Sequence, residues 1–200
     1  MINTKESVRN MIWNHMEKEG ISRTNCFGRI PDFYGSEKAA DLLINSPEWK
    51  NTNTIFVSPD TAQRKVRENA FYDGKELIMP SPKLLEGYIL LETSSTLGNE
   101  MESSTINGAF KYGRRVKTFP MVDMVVEGSV AVDKFGGRLG KGGGYGDVEI
   151  TFLQYQKVIG PETPIVSTVH ESQILERVPL EPHDKKINMI VTPDRVLRID

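Results

Sequence analysis

The sequence contains a single cysteine, Cys26, among 200 residues, and only three histidines. A lone cysteine excludes a disulfide within the chain and any Cys-rich zinc cage. His15, His170 and His183 share no metal-ligand spacing. His170-Glu171 opens like a zinc-protease helix, but the position four after His170 is Ile174. No stretch approaches the ~18 apolar residues of a membrane span, and the opening MINTKESVRN lacks the apolar core of a signal peptide. A basic excess is missing too: 25 Lys and Arg against 27 Asp and Glu give a net charge of −2. That argues against a domain built chiefly to hold nucleic acid, yet leaves room for a local cationic pocket. No Gly-x-Ser-x-Gly elbow occurs, so nothing proposes a serine nucleophile. These absences place the chain, as an expectation, in the cytoplasm, with neither membrane nor nucleic acid as partner.

What is present reads as one domain over residues 1–200, since a domain usually takes roughly 100–200 residues. Hydrophobic residues are 38% and charged residues 26%, an ordinary globular balance that recurs to the last ten residues. Val8, Ile12 and Met16, with Met11 and His15 beside them, predict a helix over Thr4–Glu19, stopped by Gly20. Ser36 is expected to cap a second helix through Asn45, and Pro59-Asp60 to open a third that ends at Gly74. Apolar runs predict strands at Thr54–Ser58, Glu76–Pro80, Gly87–Glu92, Pro164–Val169 and Ile187–Thr192. Met121–Val132 predicts one strand or two broken at Gly128, and Arg195–Ile199 a short edge strand. Thr93–Pro120 yields only a short helix near Ser104–Tyr112. A helix over Asp147–Ile159 is expected to bury Val148, Phe152, Tyr155 and Ile159. Strands alternating with helices predict an α/β fold with a largely parallel open sheet, in which ligands sit beyond the carboxyl ends of strands.

The segment DKFGGRLGKGGGYGDVEI, Asp133–Ile150, follows the longest strand run and carries seven glycines. Glycine permits positive φ and close backbone approach, and successive amides with a helix N-terminus form an anion site. Arg138 and Lys141 add two cations to the same loop. Asp147 falls in the first turn of the next helix, where a carboxylate complements the dipole and, beside phosphates, can hold Mg²⁺. The pattern is not a Walker A loop, and a plain flexible hairpin is the alternative reading. Lys5 and Arg9 lie four apart on the first helix; like charges there repel unless neutralised, which a phosphate would do. A solvated face is the alternative. Tyr145 stands among glycines where nothing local is expected to bury it, so its ring is a candidate platform for a planar ligand. Phe33, Tyr34, Phe56, Phe152 and Tyr155 read as core.

GGRLGKGGGYGD is similar to the Gly-x-Arg-Leu-Gly-x-Gly-x-Gly-Tyr-Tyr-Asp motif of 5-formyltetrahydrofolate cyclo-ligases, or methenyltetrahydrofolate synthetases. The resemblance runs through nearly the whole chain: KESVRNMIW, RIPDFYGSEKAA, GKELIMPSP, VDMVVEGSVAVDKFG, TVHESQ and HDKKINMIVTPDRVL follow in family order. It is nearest to the methenyltetrahydrofolate synthetase domain-containing branch, through its IPxFxGS, GSVAV and GKGxGYxDxE segments. The departures are Gly146 for the family's second Tyr, Ser81 within Pro-Ser-Pro for its Pro-Arg-Tyr, and Asn188 for its second late Asp. SPDTAQRKVR stands in place of its acidic stretch with a Glu near the formyl group. The resemblance implies a three-layer α/β/α, Rossmann-like fold. It implies ATP- and Mg²⁺-dependent closure of 5-formyltetrahydrofolate, a reduced folate, to 5,10-methenyltetrahydrofolate with release of ADP and phosphate. Phosphates would be held by Lys5, Arg9, Arg138, Leu139, Gly140, Lys141, Gly142, Gly143 and Gly144, with Arg138 and Lys141 catalytic. Tyr145 would pack on the pterin, and Asp147 and Asp184 would take Mg²⁺. Two alternatives stay open: a nucleotide- or folate-binding regulatory protein without turnover, and a related ATP-dependent enzyme with another substrate.

Overall fold

The structure is a computed structural model that describes residues 4–199. The described residues form the strands β1 (Thr54–Val57), β2 (Glu76–Pro80), β3 (Tyr88–Leu91), β4 (Arg114–Val116), β5 (Met124–Glu127), β6 (Ala131–Asp133), β7 (Arg138–Leu139), β8 (Ile165–Thr168), β9 (Ile174–Leu175), β10 (Met189–Val191) and β11 (Val196–Arg198). The helices are α1 (Lys5–Lys18), α2 (Ser36–Ile44), α3 (Pro47–Lys50), α4 (Arg64–Tyr72), α5 (Thr93–Thr96), α6 (Glu100–Ser103), α7 (Ile106–Tyr112) and α8 (Tyr145–Tyr155). The main sheet has the order β11-β10-β8-β5-β1-β2-β3-β4, and a smaller one the order β7-β6-β9. The five central strands, β10-β8-β5-β1-β2, are parallel; β3, β4 and β11 add antiparallel edges.

Parallel strands covered on both faces need apolar side chains on both, which is why TIFV and MVVE are near-continuous apolar runs. Ile55, Val57, Leu77, Met79, Met124 and Val126 pack under α2 and α4. Phe56, Ile78 and Val125 point the other way, with Ile150 and Leu153 of α8. The layering is therefore α/β/α, as the resemblance implied. Among the described residues no helix is long and apolar enough to cross a membrane.

Several local expectations need correction. The inner face of α8 is Glu149, Ile150 and Leu153, while Val148 and Tyr155, expected inside, are 54% and 80% exposed. Docking on the sheet selected a stripe that includes a glutamate, which an apolar count does not see. On α1 the buried stripe is Val8, Ile12, Trp13 and Met16; Met11 and His15 face outward. Tyr34 is likewise exposed. Ser36 does not cap α2. Gly35 holds that position at φ +96°, and a Cβ on it would lie 2.8 Å from Pro193 Cγ. β4, β9, α5 and α6 are short elements whose sequences carry no distinct periodicity.

Candidate active site

The carboxyl ends of β1 and β5, α1, the β7–α8 loop and the 181–184 segment enclose a cleft of about 610 Å³. Its position obeys the rule that open α/β sheets bind ligands beyond their strand ends. Lys5, Arg9, Arg138 to Asp147 and Asp184 all line it, as do Asp60, Ser81, Glu127 and Glu149.

The glycine-rich segment divides in two. Its first part is a hairpin: β6 pairs antiparallel with β7, and Asp133 Oδ1 accepts from the amides of Phe135 and Gly137, each at 2.8 Å. Gly136 and Gly137 thus serve a turn. Gly140 to Gly144 form the cleft wall. Gly142 has φ +111°, and Gly144 at φ +69° takes the N-cap position of α8, so the helix begins at Tyr145 with no side-chain cap. Its first-turn amides are left to other partners, the arrangement that suits an anion. Tyr145 is not isolated as expected. Its ring crosses the backbone of Gly143, where a Cβ would meet Cε2 at 2.5 Å, and it is half-buried on the cleft wall.

Every cation expected at the phosphate end has a protein partner. Lys5 Nζ lies 2.5 Å from Glu181 Oε2 and 2.6 Å from Asp184 Oδ2. The like-charge problem on α1 is therefore met by these acids. Burial works against the Lys5 ammonium, but its bonds to Asp184 and Glu181 prevail and raise its pKa. Asp184 is correspondingly held low by Lys5 against its own burial. Arg9 Nε donates to Gly140 O at 2.8 Å and so fixes the loop. Lys141 Nζ meets Asp60 Oδ1 at 2.8 Å. Arg138 Nη2 meets Asp147 Oδ1 at 2.5 Å, and the Lys185 amide donates to the same oxygen at 2.8 Å. Arg67, buried in α4, donates to Ser58 O and Asp60 O and thereby pins the loop that presents Asp60.

The carboxylates fall into two groups. Glu181, His183 and Asp184 bring potential ligand atoms within 4.8 Å of one another, and Asp147 is drawn to that segment through Lys185. Carboxylate oxygens of this kind suit a hard cation such as Mg²⁺. Glu127 and Glu149 form the second group, 3% and 4% exposed. Burial pushes both acids up, Glu149 further through the charge of Glu127, while Arg138 opposes the rise. The residues that sequence reasoning missed are Asp60, Glu127, Glu149 and Glu181. Glu127 had a signal: an acid ending an otherwise apolar parallel strand stands where ligands bind. Of the family departures, Ser81 and Gly146 lie on the cleft. Asn188 is structural; its Oδ1 accepts from the Ile165 amide at 2.8 Å and its Nδ2 donates to Thr163 O.

The sequence matches the model of the 5-formyltetrahydrofolate cyclo-ligase family over residues 2–193. The methenyltetrahydrofolate synthase domain-containing protein of Bos taurus is 33% identical over 204 residues, covering 97% of this chain and 53% of its own. The chain thus spans about half the length of that relative. A probable 5-formyltetrahydrofolate cyclo-ligase of Schizosaccharomyces pombe is 26% identical over 170 residues, covering 78% and 82%. In fold, the chain is similar to the 5,10-methenyltetrahydrofolate synthetase of Aquifex aeolicus, with a TM-score of 0.63 at 23% identity, covering 98% of this chain and 92% of that one.

Proposed function

From the premise that the chain belongs to the 5-formyltetrahydrofolate cyclo-ligase family, we propose that it closes 5-formyltetrahydrofolate to 5,10-methenyltetrahydrofolate with ATP and Mg²⁺, releasing ADP and phosphate. One observation carries the reading: segments distant in sequence deliver Lys5, Arg9, Arg138, Lys141, Asp147 and Asp184 to a single cleft walled by glycine amides.

An N-formyl group is an amide with a poor leaving oxygen. ATP with Mg²⁺ supplies the phosphoryl group that makes this oxygen leave as phosphate, after which the substrate's own second nitrogen closes the ring. The protein therefore needs no nucleophile; positioning and charge stabilisation suffice. Lys5, Arg9, Lys141 and the Gly140–Gly144 amides would hold the phosphates. Arg138, oriented by Asp147, would face the charge of the transferred group. Asp147 and Asp184 supply the oxygens suited to the metal, and the Tyr145 ring offers a face to the pterin. Acid partners already neutralise Lys5 and Lys141. Phosphate binding would accordingly be an exchange of partners, with the acids left free to meet the metal.

The test mixes the protein with ATP, Mg²⁺ and 5-formyltetrahydrofolate and follows methenyl absorbance in the near ultraviolet. ATP-dependent growth of that band is expected. ATP and folate binding without the band would favour the regulatory reading instead.

A further inference from the structure

Glu127 and Glu149 lie on the cleft lining, outside the phosphate machinery. Glu127 Oε1 is buried and receives no hydrogen bond. Its other oxygen, Oε2, lies 3.1 Å from where a side chain at Gly146 would begin, and Arg138 Nη1 lies 3.0 Å from the same point. Any larger residue at 146 would press into both groups. The glycine thus lets Arg138 and the Glu127 carboxyl come up to the cleft floor, where a side chain would have held them off. The charged groups facing Glu127 are Glu149 and Asp147 on α8, Arg138 on β7 and Asp60 after β1. Arg138 is the cation of this set, and its Nη2 is engaged by Asp147. An acid so placed disfavours a phosphate and calls for an N–H donor, since a buried acceptor left unmet is costly.

Resting on the cyclo-ligase reading, the geometry points to Glu127 as a specificity-determining residue that accepts N–H groups from the amino–lactam edge of the substrate's heterocycle, seated over Gly146. That edge of a pteridine offers two adjacent N–H donors, which the lone pairs of the cleft-side oxygen Oε2 can meet together. The adenine of ATP offers only its amine.

Calorimetric titration tests this without requiring turnover. The ligands are 5-formyltetrahydrofolate, an analogue with methyl in place of the 2-amino group, and ATP. The unmodified protein is expected to prefer the amino compound by about tenfold or more. Glu127→Gln, nearly isosteric, should reduce that preference, and Glu127→Met, which has no oxygen acceptor, should abolish it. Both should keep the rise in melting temperature that ATP produces, which shows that the cleft is folded. Undiminished preference in both variants overturns the assignment. So does weaker ATP binding with unchanged folate binding, which would move the contact to the nucleotide. Preference without methenyl formation leaves the role of Glu127 standing and removes the ligase reading; no folate binding by the unmodified protein overturns both.

Discussion

Replacing Asp147 by Asn separates the structural work of this carboxylate from its metal role. In the first turn of α8 the charge alone would contribute about 0.3–1 kcal/mol through the helix dipole. The structure raises that figure. Asp147 Oδ1 accepts from Arg138 at 2.5 Å and from the Lys185 amide at 2.8 Å, and the Arg138 side chain is only 3% exposed. Removing one partner of a fully buried pair costs about 3–5 kcal/mol. Here Asn retains an acceptor oxygen, and the charge of Glu127 still acts on Arg138. The expected loss is therefore intermediate, about 1.5–2.5 kcal/mol. For a chain of this size that lowers Tm by about 3–10 °C. The assay pairs thermal melts with methenyl formation at limiting and saturating Mg²⁺. Turnover is expected to fall by orders of magnitude and to recover partly as Mg²⁺ rises. A Tm unchanged to within about 1 °C would refute the buried-pair reasoning. Unimpaired turnover at limiting Mg²⁺ would refute the metal role and leave Asp184 to carry it.

Lys5→Ala should raise KM for ATP and lower stability by about 1–2 kcal/mol, because Asp184, whose side chain is 6% exposed, loses its cation; unchanged KM would reduce Lys5 to a structural charge. ATP with Mg²⁺ should raise Tm, a ligand at 100 times its Kd being worth about 2.7 kcal/mol, and Arg138→Ala should weaken that shift more than Lys157→Ala, beyond α8. The Glu127 carboxyl is raised from 4.5 to about 7 by burial, so the folded state binds more protons than the unfolded one across that window. Stability should therefore decline as pH rises through it, and urea titrations should find a flatter profile for Glu127→Gln. Gly108→Ala should destabilise by about 1–3 kcal/mol although alanine favours helices, because its Cβ would lie 1.8 Å from Glu102 O; a more stable variant in urea would contradict the packing of α6 against α7.

Much of this molecule was legible in the chain because period and punctuation are local. Double-faced burial wrote TIFV, ELIMP and MVVE as near-continuous apolar strands, and Gly20 and Gly74 marked real stops. The residues proposed for the phosphate end could be singled out as candidates from the chain, since glycine freedom, fixed cations and a helix start are properties of adjacent positions, and they line one cleft. What stayed hidden depends on partners far along the chain. Lys5 meets Glu181 and Asp184, Lys141 meets Asp60, and Arg138 lies between Asp147 and Glu127 only once β5, β7 and α8 converge. The inner face of α8 belongs to the same class: a stripe containing Glu149 turned inward because Ile150 and Leu153 pack on Phe56, Ile78 and Val125 of the sheet. Burial of an acid is decided by a counter-charge and a cavity, and both come from elements that approach each other only in the folded state.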